Sequence, residues 1–181
     1  IFGETNKLAN EAPIPVLLQK TDLWTLGGCG NVAANLVAMG ANVILCSAIG
    51  NDTNSERALQ MVASNGITWN GIAFPNHITT VKHRGFSGSK LIFRYDQECT
   101  DFLNYQKYMF DYIYECLRYV SNTTIDAVVF SDYNKGFCST SNVLSLIPKL
   151  IEKSIPIIVD PKGDFKKYLG CTLIKPNYDE A

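Results

Sequence analysis

The sequence is poor in histidine, has no Cys-x-x-Cys pair, and carries no long run of charge or of apolar residues. Each absence closes off a class of function. Two histidines and six scattered cysteines make no closed ligand set for structural zinc. A formal net charge of −1 leaves no basic excess for a nucleic-acid partner. No apolar stretch approaches the ~20 residues that cross a bilayer, so no membrane partner is expected. No signal peptide is visible in these residues, no internal repeat or low-complexity tract interrupts them, and no G-x-x-x-x-G-K-[ST] loop is found.

What is present is ordinary globular material. The 181 residues are 46% apolar and 18% charged, enough for one domain with a sizeable core. Cys46 and Cys116 lie in apolar stretches and read as small buried hydrophobes. The cysteine usage fits a reducing cytoplasm.

Strands and helices alternate along most of the chain. Residues 31–39 and 53–64 have helical spacing, with a buried strand at 42–50 between them. Residues 103–120 place Tyr105, Met109, Tyr112, Ile113, Cys116, Leu117 and Val120 at helical intervals. Strands are expected at 126–132, 155–160 and 171–175, and a helix at 140–153 that Pro148 weakens or kinks. The pattern predicts an α/β fold with a mostly parallel sheet. The alternating segments at 12–19, 69–74 and 78–96 interrupt it. They are grouped as a small β-lid, with a hairpin turn at Ser87-Gly88-Ser89.

Ligands of open parallel sheets bind beyond the carboxyl ends of the strands. Three successive expected strands end in "SDYNKG", "DPKG" and "KPNYDE", bringing Asp132, Lys135, Asp160, Lys162, Asn177 and Glu180 to strand ends. Carboxylates beside lysines suit magnesium and phosphate, although each cluster alone is also ordinary turn chemistry. On the lid, Lys82 and Arg84 share one strand face, with Arg94 and Asp96 on the partner strand. They could meet a substrate phosphate, or simply pair across the strands in solvent. The run "GGCGN" opens the first helix. No adequate strand precedes it, which disfavours a dinucleotide. The backbone of that run and Asn31 could instead grip the hydroxyls of a polyol, or Asn31 could be only a helix cap. The expectation is one hollow shared by Asn31, Asp132 and Glu180.

The set of motifs resembles a known family. "GGCGNVAANLVAMGANVILCSAIGND" is similar to the first signature of the ribokinase-like (PfkB) carbohydrate kinases, and "PNYDE" to their N-x-x-E element. "NEAPIPVL", "TTVKHR", "LIFRYDQE", "FSDYNKG", "IIVDPKG" and "TLIKPNYDE" most resemble the heptose 7-phosphate kinases of that family. The resemblance implies a ribokinase-like three-layer α/β sandwich over residues 1–181, with a β-lid that serves as a homodimer clasp. It implies transfer of the ATP γ-phosphoryl group to the anomeric hydroxyl of D-glycero-β-D-manno-heptose 7-phosphate, toward ADP-heptose and lipopolysaccharide. Gly28, Asn31, Lys82, Arg84, Arg94, Asp132 and Lys135 would then face the sugar phosphate. Asp160, Lys162, Asn177 and Glu180 would face Mg²⁺-ATP, with Glu180 reaching the metal through water.

The family's catalytic aspartate sits in a G-A-G-D motif downstream of N-x-x-E, and a sugar-binding aspartate precedes the position of Ile1. Neither is in this chain, so no catalytic residue is assigned. The chain is expected to be a fragment, inactive alone. Gly88 stands where a basic lid residue is expected. Two alternatives stay open: another sugar or nucleoside kinase of the family, and a non-catalytic sugar-phosphate-binding relative.

Overall fold

The computed structural model describes residues 1–75, 77–98, 106–178 and 180. A parallel three-stranded sheet forms the C-terminal part: β9 (Val128–Ser131), β10 (Ile157–Asp160) and β11 (Leu173–Ile174), with β10 in the middle. Helix α4 (Thr140–Glu152) covers it with Val143, Ile147 and Leu150, an i, i+4, i+7 stripe that buries against Phe130, Ile157 and Val159. The Ser139 side chain caps it, and α4 runs on through Pro148 as one helix. Pro148 is exposed, away from the buried stripe.

The N-terminal part holds α1 (Gly28–Ala38), β3 (Ile44–Leu45), β4 (Ala48–Gly50), α2 (Thr53–Ser64), β5 (Thr68–Trp69) and β6 (Ile72–Phe74). The expected strand at 42–50 breaks at Cys46-Ser47 into two short strands, which pair in parallel with β5 and β6. The stretch 69–74 therefore belongs to this body and not to the lid. Its side chains serve that core: Phe74 is fully buried, and Trp69 packs on the cluster of Ala33, Leu45, Val62 and Ile67.

The lid is a four-stranded sheet in the order β2-β1-β7-β8, from β1 (Phe2–Leu8), β2 (Pro15–Thr21), β7 (Val81–Ser87) and β8 (Lys90–Gln97). Strand β1 has no counterpart in the sequence reading. "FGETNKL" is polar and largely exposed, and its place is fixed by pairing with β2 and by Phe2 stacking on Phe86 at 5.4 Å. Helix α3 (Gln106–Asn122) buries Met109, Ile113 and Cys116. Cys46 follows β3 directly and is exposed, contrary to its reading as a buried hydrophobe. The expected start at 103–105, and the inward placing of Tyr105, Leu117 and Val120, lie outside the described residues. His77 is buried with its ring edge-on to Phe74, while His83 stacks on Tyr95 at 4.1 Å, so both act in packing.

Two details hold the β4–α2 corner. At Gly50 an added Cβ would lie 2.2 Å from the His77 carbonyl oxygen and 2.8 Å from the Thr79 nitrogen. Gly50→Ala is therefore expected to cost about 1–3 kcal/mol, read as a lower urea midpoint, because backbone must shift. Asp52 caps α2 in a capping box with Ser55, and also accepts hydrogen bonds from the Thr79 backbone at 2.9 Å and hydroxyl at 2.7 Å. Burial would raise its pKa, but the donors of Thr79 and Ser55 outweigh burial and hold it below 3.8. Its stabilising effect is thus present above about pH 4 and is lost as pH falls through the lowered folded value. Asp52→Ala is expected to cost about 1–2 kcal/mol at pH 7 and much less at pH 2, measured by urea unfolding at both.

Candidate functional site

The glycine turn is built by α1 itself. Gly27 takes the cap position and Gly28 adopts φ +52°, a left-handed conformation that favours glycine. The face of Gly28 lies against Tyr133: an added Cβ would meet that ring at 3.5 Å. Because the helix starts at Gly28, Asn31 already lies within its first turn and is exposed, and its carbonyl accepts from Asn35 Nδ2 at 2.9 Å.

The loop after β9 is organised by Asp132, which is 6% exposed. Its Oδ1 accepts from the Asn134 backbone at 2.7 Å, and its Oδ2 from Lys167 Nζ at 2.7 Å and Tyr168 Oη at 2.9 Å. Lys167 and Tyr168 belong to a 3₁₀ turn at Lys166–Tyr168. Lys167 also donates to the Cys138 carbonyl at 2.6 Å. Burial first, then the nearby Cys138 and Asp132, push the Tyr168 phenol far up, so it stays a donor. Burial, with the Asp132 charge, pushes the Cys138 thiol up to about 12. The sheet register joins this loop to the next: the Asp132 backbone donates to the Asp160 carbonyl at 2.9 Å.

One cavity of about 2110 Å³ opens onto these loops, larger than the roughly 300–1,000 Å³ of a small-molecule site. Residues of α1, β3 and β9 are among its lining. Its lining includes Gly28, Lys82, Arg84, Arg94, Asp132, Lys135 and Lys162. Asn31, Asp160, Asn177 and Glu180 stand outside it, so the hollow expected to unite Asn31, Asp132 and Glu180 contains only Asp132. Asn31 turns to solvent on α1, Asp160 pairs with Lys175 at 3.3 Å, and Asn177 and Glu180 satisfy each other's backbone nitrogens at 3.0 Å.

The cations of the cavity differ in how far they are already neutralised. Lys82 donates to Asp96 at 2.8 Å, and Arg94 holds the same carboxylate with two bonds at 2.9 and 2.7 Å. This cross-strand cluster, Arg94 first and Lys82 second, holds Asp96 well below the usual carboxylate range. Lys135 pairs with Glu98 at 2.8 Å, which lowers the Glu98 pKa. Arg84 and Lys162 carry no ion pair among the described residues. Arg57, which also lines the cavity without an ion pair, is engaged over the Trp24 ring at 4.0 Å, which leaves Arg84 and Lys162 as the cations with neither a counter-charge nor a ring partner among the described residues.

Lys167, Tyr168, Tyr133 and Glu98 are absent from the sequence-derived site. Nothing in "GDFKKYLG" distinguishes a buried lysine from a solvated one. The only available signal was the need of a strand-end aspartate for partners once buried.

The model of the pfkB family carbohydrate kinases matches residues 2–181. A bifunctional HldE protein of Helicobacter pylori is 35% identical over 184 residues, which are 99% of this chain and 39% of that protein. The HldE protein of Geobacter metallireducens is 32% identical, over 100% of this chain and 37% of its own length. The chain thus spans well under half the length of these curated relatives. Among solved structures, a phosphofructokinase-2 variant from Escherichia coli superposes with a TM-score of 0.63 at 16% identity, covering 99% of this chain and 57% of that one. Ribokinase from Giardia lamblia gives 0.60 at 14%, covering 97% and 56%. At these identities the likeness establishes the fold, a ribokinase-like α/β sandwich.

Proposed function

The chain belongs to the pfkB family of carbohydrate kinases, and from that we propose that it forms the sugar-phosphate side of a kinase whose acceptor is D-glycero-β-D-manno-heptose 7-phosphate and whose donor is ATP. The observation that carries the reading is that Arg84 on the lid and Lys162 beyond β10, neither of them in an ion pair among the described residues, line the same cavity as the Gly28 turn; the third such cation, Arg57, lies over the Trp24 ring at 4.0 Å. A phosphorylated sugar needs both a close backbone for its hydroxyls and a cation for its phosphate. Gly28 supplies the first and Arg84 the second, with Lys82 and Arg94 reserved in part by Asp96. Lys162 is the candidate for an ATP phosphate oxygen.

Magnesium would arrive with the nucleotide as part of the substrate. Among the described residues no three His, Cys, Asp or Glu side chains gather to hold a metal ion. Asn177 and Glu180, the elements expected near it, are closed on each other. Asp132 is a positioning residue in this reading: with both oxygens engaged, it fixes the loop that carries Tyr133 and Lys135.

The test is a phosphoryl-transfer panel on the natural protein that carries this chain, with heptose 7-phosphate, fructose 6-phosphate, ribose and a nucleoside as acceptors. Heptose 7-phosphate is expected to give the highest kcat/KM. Turnover of the others without heptose 7-phosphate would overturn the acceptor and leave the family.

A further inference from the structure

The β7–β8 hairpin of the lid is tied to the body at both its feet. At the first, Thr79 stands two residues before β7 and is buried. It donates to Asp52 through its backbone and its hydroxyl, and the hydroxyl accepts from the Gly50 nitrogen at 3.0 Å. At the second, Glu98 follows β8 directly and meets Lys135 of the loop after β9. Lys135 Nζ stands 2.8 Å from each of the two carboxylate oxygens. The first joint is shut away from solvent; the second is an ion pair within reach of it, with side chains 36% and 26% exposed.

The second joint acts on the charged face of the lid. Residues two apart on a strand share a face. Lys82 and Arg84 share one on β7, and opposite them on β8 stand Asp96 and Arg94, with Lys82 bonded to Asp96. Glu98 continues the alternation of Arg94 and Asp96 one step past the strand. The face that Glu98 turns to the body is therefore the face that carries Arg84. Strands β7 and β8 pair along their whole length, so a hold on the end of β8 is also a hold on Arg84. On the body side Lys135 is itself held. It lies three residues after Asp132, whose carboxylate is bound by the Asn134 nitrogen, Lys167 and Tyr168.

We propose that Lys135 and Glu98 are positioning residues of the sugar-phosphate site: their ion pair straps the charged face of the lid to the loop after β9 and sets where Arg84 meets the phosphate. The inference rests on the reading of the cavity given above. It gives Lys135 a different part from the one expected of it, because its charge is directed at Glu98 and the phosphate is left to Arg84. An ion pair this open to solvent contributes little to stability, so its effect lies in where it holds the lid.

The experiment uses the natural protein that carries this chain, with E98Q, E98K, K135E and the charge-reversed double variant E98K/K135E. Steady-state kinetics give KM for heptose 7-phosphate and for ATP, and hydrogen exchange reads the β7 and β8 amides without ligand. Each single change is expected to raise KM for the sugar phosphate about three- to tenfold and to speed exchange in β7 and β8, with KM for ATP and the urea midpoint nearly unchanged. The double variant should recover most of both losses. A double variant no better than K135E would show that Lys135 itself binds the phosphate, and would overturn the proposal. E98Q with an unchanged KM for the sugar phosphate would overturn it too, whether or not its exchange is faster. Should the unsubstituted protein turn over no heptose 7-phosphate, the acceptor reading falls. Hydrogen exchange then still decides the strap, which unchanged β7 and β8 amides in E98Q would rule out.

Discussion

Asp132→Ala is expected to lower the free energy of unfolding by about 3–5 kcal/mol. The Lys167–Asp132 pair is the most deeply buried ion pair among the described residues, with side chains 9% and 2% exposed. Removing the carboxylate leaves the Tyr168 hydroxyl without its acceptor and the Lys167 ammonium with only the Cys138 carbonyl and no counter-charge in the protein interior. The Lys167→Met change made together with Asp132→Ala should recover part of the loss, because no orphan charge then remains. Urea unfolding at neutral pH reads both. A loss below about 1 kcal/mol for Asp132→Ala would mean that the pair behaves like a surface ion pair.

The second large effect concerns binding. Arg84→Ala is expected to weaken the sugar phosphate about ten- to a hundredfold, the value of one charge-assisted contact of roughly 1.5–3 kcal/mol. Both Arg84 and Lys162 are exposed and free of ion pairs among the described residues, so stability should hardly change. Lys162→Ala should act on ATP and leave sugar affinity nearly unchanged. Lys82→Ala should cost less than Arg84→Ala, because Lys82 already shares Asp96 with Arg94. Calorimetric titration of the variants with sugar phosphate and with nucleotide separates these effects. Equal losses for both ligands in both variants would show a diffuse field in place of two subsites.

The helices and the β9–β10–β11 sheet were legible because their cores are periodic. Val143, Ile147 and Leu150 announce α4, and the apolar runs ending in Asp132 and Asp160 announce parallel strands. Polar β1 was not legible, since long-range pairing with β2 and β7 and not a local pattern makes it a strand. Residues 69–74 look like any short β segment, and only their partners decide that they join the main body.

The site was legible as residue types at strand ends. Which of them face one cavity depends on rotation about α1 and on who neutralises whom. Asn31 lost its expected place to a helix start three residues earlier, and Glu180 to a local pairing with Asn177. Lys167 and Tyr168 entered through a 3₁₀ turn that no periodicity foretells.

The most direct measurement is a crystal structure of the protein with heptose 7-phosphate bound. The account predicts its phosphate within hydrogen-bonding distance of Arg84 and its hydroxyls against the Gly28 turn, in the cavity that Lys162 also lines. A sugar phosphate bound elsewhere, with Arg84 and Gly28 untouched, would contradict it.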